Sequence, residues 1–234
     1  MSTAVPPGRP RVVSLVPSAT ETLAAWGVVP VAVTRFCERP DLPAVGGTKD
    51  PDLDAIVALA PDLVVCCREE NRREDAEALV AAGLDLFVFD VDTVEDVPVE
   101  LGAFAERLGL TGSVPVGRVD LPAAPLTRSA FVPIWRRPWM SISGACYGAS
   151  MLAHLGISTV LAEHPDRYPE VTLDAAAAAS PDLVIAPSEP YPFAERHRAE
   201  LEQVAPVVLV DGQDLFWWGV RTPAALGRLA AALT

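Results

Sequence analysis

The chain has 234 residues, of which half are hydrophobic and 21% are charged, and its formal net charge is −13. This length and apolar content allow one large domain or two lobes of about 100 residues each, and they argue against a disordered chain. The acidic balance argues against a nucleic-acid-binding protein, which needs a basic surface. No uninterrupted apolar stretch approaches the ~20 residues that would span a bilayer.

The first half of the sequence alternates between predicted strands and helices. A buried strand is expected at Arg11–Val16, followed by a helix with a Ser18–Glu21 capping box that ends at Gly27. The other apolar runs that predict strands in this half are residues 28–34, 63–66 and 84–89. Strands and helices in this rhythm predict a parallel sheet that is covered on both faces.

A helical period at Val94–Leu108 is followed by the Pro-rich stretch Thr111–Pro125, which predicts a linker or an irregular crossover. The strands predicted beyond it are residues 129–135, 139–143, 159–161 and 207–210, and a closing helix is expected at Thr222–Leu233. We therefore expect an N-terminal α/β lobe at residues 1–93, a linking helix and crossover at 94–126, and a C-terminal α/β lobe at 127–234.

One sequence pattern occurs twice, 120 positions apart, at Leu53–Val65 and Leu173–Ile185. Each copy predicts a helix that stops at a proline, then an aspartate, then a buried strand. Two copies in register predict two Rossmann-like parallel-sheet lobes with a cleft between them, and a cleft is the default place for a ligand.

Ligands of open parallel sheets bind beyond the carboxyl ends of the strands. The candidate ligand-binding residues that follow predicted strands in the first half are Ser18, Thr20, Phe36, Cys37, Cys67 and Arg68. Those of the second half are Cys146, Tyr147, Ser188, Glu189, Tyr191, Gln213, Asp214, Trp217 and Trp218. Aromatic faces and polar helix N-termini suit a large, flat, partly apolar ligand with hydrogen-bonding edges.

Catalytic motifs are missing from the sequence. It contains no phosphate-binding loop and no Gly-x-Ser-x-Gly elbow, and its three histidines are scattered, so we expect no enzyme. One alternative is an enzyme on the same scaffold that uses Cys66, Cys67 or Cys146 as nucleophile or metal ligand. Another alternative is an interaction module whose acidic first half binds a basic partner.

Several motifs together resemble a known family. They are Val13–Glu21, Phe36–Pro40, Gly46–Gly47 and Ala60–Val64, with Arg167–Leu173, Ser188–Phe193 and Asp211–Asp214 in the second half. These segments resemble the cobalamin- and iron-siderophore-binding proteins of ABC importers, which are the class III, or helical-backbone metal receptor, substrate-binding proteins.

The resemblance implies two α/β lobes joined by a single helix, with a metal chelate held in the cleft. Carried over by position, it adds Gly47 to the ligand-binding set and places Phe36, Cys67 and Trp217 in the cleft. It also implies that an acidic residue on each lobe docks to the membrane subunit, for which Glu74 and Glu195 are the nearest candidates.

The sequence as a whole therefore predicts a non-catalytic binding protein for a corrinoid, an iron siderophore or haem, serving uptake or intracellular handling. We expect a monomer with no metal and no cofactor of its own, an ABC permease as its partner, and no membrane span. The N-terminus shows no signal peptide, which predicts a cytoplasmic location. The alternative is an extracytoplasmic protein from which a leader has been removed.

Overall fold

A computed structural model of the chain describes residues 10–110, 114–115, 119 and 126–234. These residues form two compact units. The first comprises the described residues up to Val91, those from Glu95 to residue 115, and Trp218–Val220. The second comprises Asp92–Val94, the described residues from Val119 to Trp217, and Arg221–Thr234. Most of the Pro-rich stretch predicted as a crossover lies outside the described residues.

The first unit is built on a four-stranded parallel sheet with the strand order β2-β1-β3-β4. Its elements are β1 Val12–Ser14, α1 Pro17–Ala25, β2 Ala32–Val33, α2 Leu53–Ala58, β3 Leu63–Cys67, α3 Arg73–Ala81, β4 Leu86–Phe89 and α4 Asp96–Arg107. Strands β1 and β3 are buried along their whole length, as the apolar runs predict for central parallel strands.

The second unit is built on another four-stranded parallel sheet, with the order β10-β9-β5-β8. Its elements are β5 Arg128–Phe131, β6 Pro133–Trp135, β7 Met140–Ser141, α5 Tyr147–His154, β8 Ile157–Thr159, α6 Leu173–Ala178, β9 Leu183–Pro187, α7 Arg198–Leu201, β10 Val207–Val210, α8 Gly212–Phe216 and α9 Thr222–Leu233. The prediction of two parallel α/β sheets is confirmed. No helix among the described residues is long and apolar enough to cross a membrane.

Two local predictions were wrong. Residues 129–135 do not form one strand, because β5 ends at Phe131 and the chain continues as an antiparallel hairpin of β6 and β7. Pro133 has no N–H to donate to a ladder, so it favours this change of direction. The Ser18–Glu21 capping box is also absent, since Val16 is the N-cap and Pro17 occupies the first helical position, which proline prefers.

The repeated pattern forms the same structure twice. Helix α2 begins where Asp52 accepts a hydrogen bond from the Ala55 N–H at 3.0 Å, and α6 begins where Thr172 accepts one from the Ala175 N–H at 3.1 Å. After each helix one residue adopts the left-handed conformation, with φ of 44° at Ala60 and 51° at Ser180.

The aspartate of each copy then ties the junction to the neighbouring strand. The Asp62 carboxylate accepts a hydrogen bond from the Arg11 N–H at 2.7 Å, beside the start of β1. The Asp182 carboxylate accepts one from the Ser129 N–H at 2.7 Å, within β5. Each aspartate therefore helps to set the register of the strand that follows it.

Candidate functional site

The carboxyl ends of the parallel strands lie along one edge in each sheet, and the loops that leave this edge carry the residues predicted to bind a ligand. Nine of the predicted residues are buried: Ser18, Thr20, Cys37, Gly47, Cys67, Cys146, Tyr147, Asp214 and Trp218. The other seven are exposed or partly exposed: Phe36, Arg68, Ser188, Glu189, Tyr191, Gln213 and Trp217. The second group is the one that can meet a ligand, whereas the first holds the loops in place.

In the first unit, a small polar cluster joins helix α1 to the loop after β2. The Thr20 hydroxyl oxygen lies 2.8 Å from Ser14 Oγ and 3.2 Å from Cys37 Sγ. Cys37 Sγ also lies 3.3 Å from Thr34 Oγ1. Thr20 and Cys37 are therefore positioning residues that fix α1 and the loop after β2 against each other.

Asn71 organises the same edge and was missed by the sequence analysis. Its side-chain oxygen accepts a hydrogen bond from the Cys67 N–H at 2.8 Å, and its side-chain nitrogen donates to the Thr48 carbonyl at 2.9 Å. Nearby, Lys49 Nζ donates to the Glu69 carbonyl at 2.7 Å. The only signal for Asn71 in the sequence is a polar residue between the predicted end of a strand and the start of a helix. That signal does not show which backbone groups the side chain can reach.

Phe36 is the most exposed aromatic ring of this edge. Its side chain is 53% exposed, and the guanidinium of Arg35 lies 4.8 Å from the ring centre. Arg35 is held by Asp50 at 2.8 Å. A Cβ at Gly47 would lie 2.5 Å from Asp50 Oδ1 and 2.7 Å from an Arg35 guanidinium nitrogen, so a glycine is required for this ion pair to pack as it does.

Three further residues of the first unit have distinct surroundings. Arg68 is exposed and forms an ion pair with Asp90 at 2.6 Å. Ser18 is buried in the first turn of α1, and its hydroxyl has no hydrogen-bond partner in the part of the chain that the structure describes. Trp218 is only 3% exposed and packs on Phe89 with ring centres 4.5 Å apart, so it is a core residue and offers no open ring face.

In the second unit, aromatic side chains pack together where the β9 loop meets the β6–β7 hairpin. The ring of Tyr191 lies 5.7 Å from Trp135, 4.8 Å from Phe193 and 5.5 Å from His197. Phe193 also stacks on Trp139 at 5.9 Å with 7° between the planes. Trp135 is 45% exposed, and the sequence analysis missed it because it read residues 129–135 as one strand.

Charged groups surround this aromatic cluster. Hydrogen bonding to Tyr191, followed by the charge of Glu200 at 2.7 Å, raises the pKa of Arg136. His197 is buried and accepts a hydrogen bond from the Ala194 N–H at 3.1 Å. Burial, followed by the charges of Arg196 and Arg136, lowers the pKa of His197. A neutral His197 is therefore part of the packed cluster.

The loops after β9 and β10 approach each other closely. The Gly212 N–H donates to Ser188 Oγ at 2.9 Å, and a Cβ at Gly212 would lie 2.5 Å from the Glu189 backbone nitrogen. Only glycine allows this approach, which brings Ser188 and Glu189 beside the start of α8.

Helix α8 presents Trp217 and Gln213 and is fixed by Asp214. The guanidinium of Arg221 lies 5.3 Å from the Trp217 ring centre and donates to Gln213 Oε1 at 3.3 Å. Asp214 is 4% exposed and binds Arg228 through both carboxylate oxygens, at 2.5 and 2.7 Å. Asp214 therefore anchors α9 on α8, while Trp217 and Gln213 remain partly exposed.

The four cysteines are buried free thiols. Burial raises the pKa of Cys66 and of Cys67 to about 12, which leaves almost no thiolate at neutral pH. Cys146 is the N-cap of α5, and its thiol donates to the Ser143 carbonyl at 3.6 Å. Tyr147 packs beside it with its hydroxyl 2.8 Å from Thr222 Oγ1, and burial raises its pKa.

The two residues predicted to dock to a membrane subunit are exposed. Glu74 lies in the first turn of α3, 3.8 Å from the Arg72 guanidinium. Glu195 follows the β9 loop and accepts a hydrogen bond from Arg198 at 2.6 Å, which lowers its pKa. Both carboxylates are therefore accessible on the surface of their own unit.

An open depression of about 470 Å³ lies at the opposite, amino-terminal edge of the second sheet. Two charged residues of its lining have structural roles: Arg128 donates to the Leu233 carbonyl at 2.9 Å, and Asp182 binds Ser129. The carboxyl edges, with their exposed aromatic rings and guanidinium groups, are the stronger candidate for ligand binding.

Comparison with known proteins supports the same assignment. No family model matches the chain. A vitamin B12-binding protein of Pectobacterium carotovorum is 24% identical over 224 residues, covering 88% of this chain and 81% of that protein. The vitamin B12-binding protein of Salmonella typhimurium is 34% identical over a shorter stretch of 92 residues, covering 38% of this chain and 35% of that protein.

Solved structures show the same fold. The periplasmic vitamin B12 binding protein BtuF of Vibrio cholerae superposes with a TM-score of 0.77 and 19% identity, covering 96% of each chain. The periplasmic heme-binding protein BhuT in complex with two hemes superposes with a TM-score of 0.78 and 22% identity, covering 96% of this chain and 97% of that one. The resemblance inferred from the sequence motifs is confirmed.

Proposed function

We propose that this chain, a relative of the class III substrate-binding proteins of ABC importers, binds a metal chelate for uptake and does not transform it. The ligand class comprises cobalamin-like corrinoids, haem and iron siderophores. The observation that carries the proposal is the set of partly exposed aromatic rings at the carboxyl edges of both sheets, each close to a guanidinium. Phe36 lies beside Arg35, Tyr191 beside Arg136 and Trp217 beside Arg221.

A binding role explains why two of the polar side chains under these loops face inward. The Asn71 amide and the Asp214 carboxylate hold backbone and helices rather than facing solvent. A surface that is ordered before the ligand arrives loses less conformational entropy on binding. Rigid aromatic side chains add to this effect, because they have few rotatable bonds.

The chemistry of the site disfavours the enzyme alternative. A nucleophilic cysteine needs a lowered pKa, whereas burial raises the pKa of Cys66 and Cys67 to about 12. His197 could serve as a general base only if it were accessible, and it is 5% exposed within the aromatic cluster. The similar proteins are also named for binding vitamin B12 or heme.

We extend the proposal to transport. A protein of similar fold from Listeria monocytogenes is described as an ABC transporter substrate-binding protein. The exposed Glu74 and Glu195 are our candidates for docking to a permease. The periplasmic location given for the similar vitamin B12- and heme-binding proteins favours an extracytoplasmic site of action over the cytoplasmic one expected from the N-terminus.

Titration with cyanocobalamin, hemin and a ferric siderophore, followed by absorbance and calorimetry, tests the proposal. We expect micromolar or tighter binding of at least one of them, and recovery of the ligand unchanged. Trp217→Ala and Tyr191→Ala should each weaken binding about 30-fold, the effect of losing an aromatic hot spot of about 2 kcal/mol.

Val99→Ala is a matched control, because Val99 is 69% exposed on α4 and belongs to no carboxyl-edge loop. It should leave the affinity unchanged. If none of the three probes binds more tightly than about 1 mM, the proposed function is wrong. Fractionation of cells that express the full-length gene decides the location.

A further inference from the structure

The turn of the β6–β7 hairpin places two arginines side by side in a strongly acidic chain. It runs from Arg136 to Trp139, and Arg137 has a φ of 70°, a left-handed conformation that arginine rarely adopts. The only other non-glycine residues with positive φ in the described chain are Ala60 and Ser180, which end the two repeat helices. Arg137 ends no helix, and strain of this kind is concentrated at binding sites.

The two arginines have different surroundings. Arg136 is partly buried, forms an ion pair with Glu200 at 2.7 Å and is hydrogen-bonded to Tyr191. Arg137 is exposed, and among the described residues it forms no ion pair and no side-chain hydrogen bond. The first guanidinium is therefore used to hold the hairpin on the β9 loop, while the second remains available to an outside partner.

An apolar surface lies next to this available cation. Trp135 is 45% exposed and meets Tyr191 edge to face at 5.7 Å. Trp135 is two residues from Arg137, so their Cα atoms are at most about 7 Å apart, and an arginine side chain can reach across that distance. The tip therefore combines a flat aromatic surface with a guanidinium at its border.

Positively charged side chains lie near the hairpin although the chain as a whole is acidic. The formal net charge is −13, yet the buried His197 has Arg136 and Arg196 near enough for their charges to oppose its protonation. Glu200 forms an ion pair with Arg136 at 2.7 Å, so the exposed Arg137 is the guanidinium of the tip that an anionic group can meet.

We propose that Arg137 binds a free carboxylate on the rim of the ligand while the ring system of the ligand lies against Trp135 and Tyr191. The inference rests on the proposed function and narrows it. The preferred ligand is a flat chelate that carries free carboxylates, as haem does, rather than one whose side chains are all amides. A guanidinium matches a carboxylate with two parallel hydrogen bonds, which an amide cannot reproduce.

Hemin and its dimethyl ester form a matched pair of probes, since they differ only in whether the two carboxylates are free. Both are delivered at the same detergent concentration and titrated by absorbance. We expect wild-type protein to bind hemin about 10- to 150-fold more tightly than the ester, because a hydrogen bond to a charged group contributes about 1.5–3 kcal/mol.

Arg137→Asn removes the charge with a residue that tolerates positive φ, so the turn is retained. This variant should bind hemin as weakly as the ester, bind the ester like wild type, and keep its melting temperature. Arg137→Lys should recover part of the affinity for hemin. Arg73→Gln, at a 90% exposed side chain on α3, is the control for loss of one positive charge.

The outcomes separate this inference from the proposed function. Equal affinity of wild type for hemin and its ester would overturn the inference and leave the binding function intact. So would an Arg137→Asn variant that weakens both ligands equally, or tight binding of cyanocobalamin by a protein that does not bind hemin. If only the ferric siderophore binds, the inference is wrong and the proposed function stands. If neither hemin, the ester, cyanocobalamin nor the ferric siderophore binds, both are wrong.

Discussion

The two units use the same helix–strand junction but different chemistry at the loops that face a ligand. In both junctions a side-chain oxygen caps the helix, one left-handed residue ends it, and an aspartate binds the backbone beside the neighbouring strand. At the carboxyl edges the likeness disappears. The first unit ties its loops with the Asn71 amide and the Thr20–Cys37 contact, whereas the second packs Tyr191, Phe193 and Trp139.

The junctions therefore determine the sheets, whereas the loops at the carboxyl edges determine the site. The junction depends on contacts between residues that lie close together or on adjacent strands, so the same short pattern gives the same structure in either unit. The edge loops connect strands that are already held in register, and either polar or aromatic side chains can fix them. The two edges should therefore respond differently to mutation, which two experiments test, and two further experiments compare the junctions.

The largest effect is expected at the aromatic edge. Phe193→Ala should reduce the free energy of unfolding by about 3–4 kcal/mol, because it empties a buried site that contacts Trp139, Tyr191 and His197. Phe193→Leu keeps most of the volume and should cost about 1 kcal/mol. Urea denaturation measures both. Similar losses for the two variants would show that ring stacking, rather than filled volume, fixes this edge.

The polar edge should lose less when its central residue is removed. Asn71→Ala leaves the Cys67 N–H and the Thr48 carbonyl without their partner, which should cost about 2 kcal/mol. Asn71→Asp keeps an acceptor for the Cys67 N–H but places a carboxylate against the Thr48 carbonyl, so it should be at least as destabilising at neutral pH. A change below about 0.5 kcal/mol in both variants would mean that solvent replaces the amide and that the polar edge is not fixed by it.

Much of the scaffold could be predicted from the sequence because its signals are local. Gly27, which is predicted to stop a helix, adopts a φ of 69°, the left-handed conformation that ends a helix. Gly83 and Gly156 follow α3 and α5 in the same conformation, with φ of 84° and 78°. The proline and aspartate of each repeat copy mark the junction in the same way. These residues act on their own neighbours, so a short window of sequence is enough to read them.

The candidate site was harder to predict because burial depends on distant contacts. Thr20 and Trp218 both follow strands at the predicted edge, Thr20 in α1 and Trp218 in a loop. The Thr20 hydroxyl nevertheless contacts Ser14 and Cys37, and the Trp218 ring packs on Phe89. Conversely, the sequence predicts one continuous strand through Trp135. In the structure Trp135 ends β6 in a hairpin with β7, and this hairpin leaves it exposed. Sequence position identified the edge of the sheet but not which side chains remain open on it.

The shared junction predicts that the same substitution has the same effect in both units. Ala60→Gly and Ser180→Gly should each stabilise the protein by about 0.5–1 kcal/mol, because glycine removes a left-handed strain of about 1–2 kcal/mol at some cost in backbone entropy. Ala78→Gly, an exposed position inside α3, is the control and should destabilise by about 1 kcal/mol. Opposite signs at residues 60 and 180 would mean that the two junctions are not equivalent in energy.

The smallest effect concerns pH at the junction of the second unit. Hydrogen bonds from the Ser129 N–H and hydroxyl lower the pKa of Asp182. Because the folded pKa is the lower one, the ionised carboxylate stabilises the native state above its unfolded pKa of about 3.9, and this contribution is lost as the pH falls through the folded value. The free energy of unfolding of Asp182→Asn should therefore differ most from wild type near neutral pH and converge with it in acid.

Ser129→Ala removes one of the two hydrogen-bond donors and should give an intermediate slope of unfolding free energy against pH between pH 6 and pH 3. A constant difference between wild type and Asp182→Asn across that range would mean that the carboxylate charge contributes nothing at this junction, and that the two copies of the repeat are held by geometry alone.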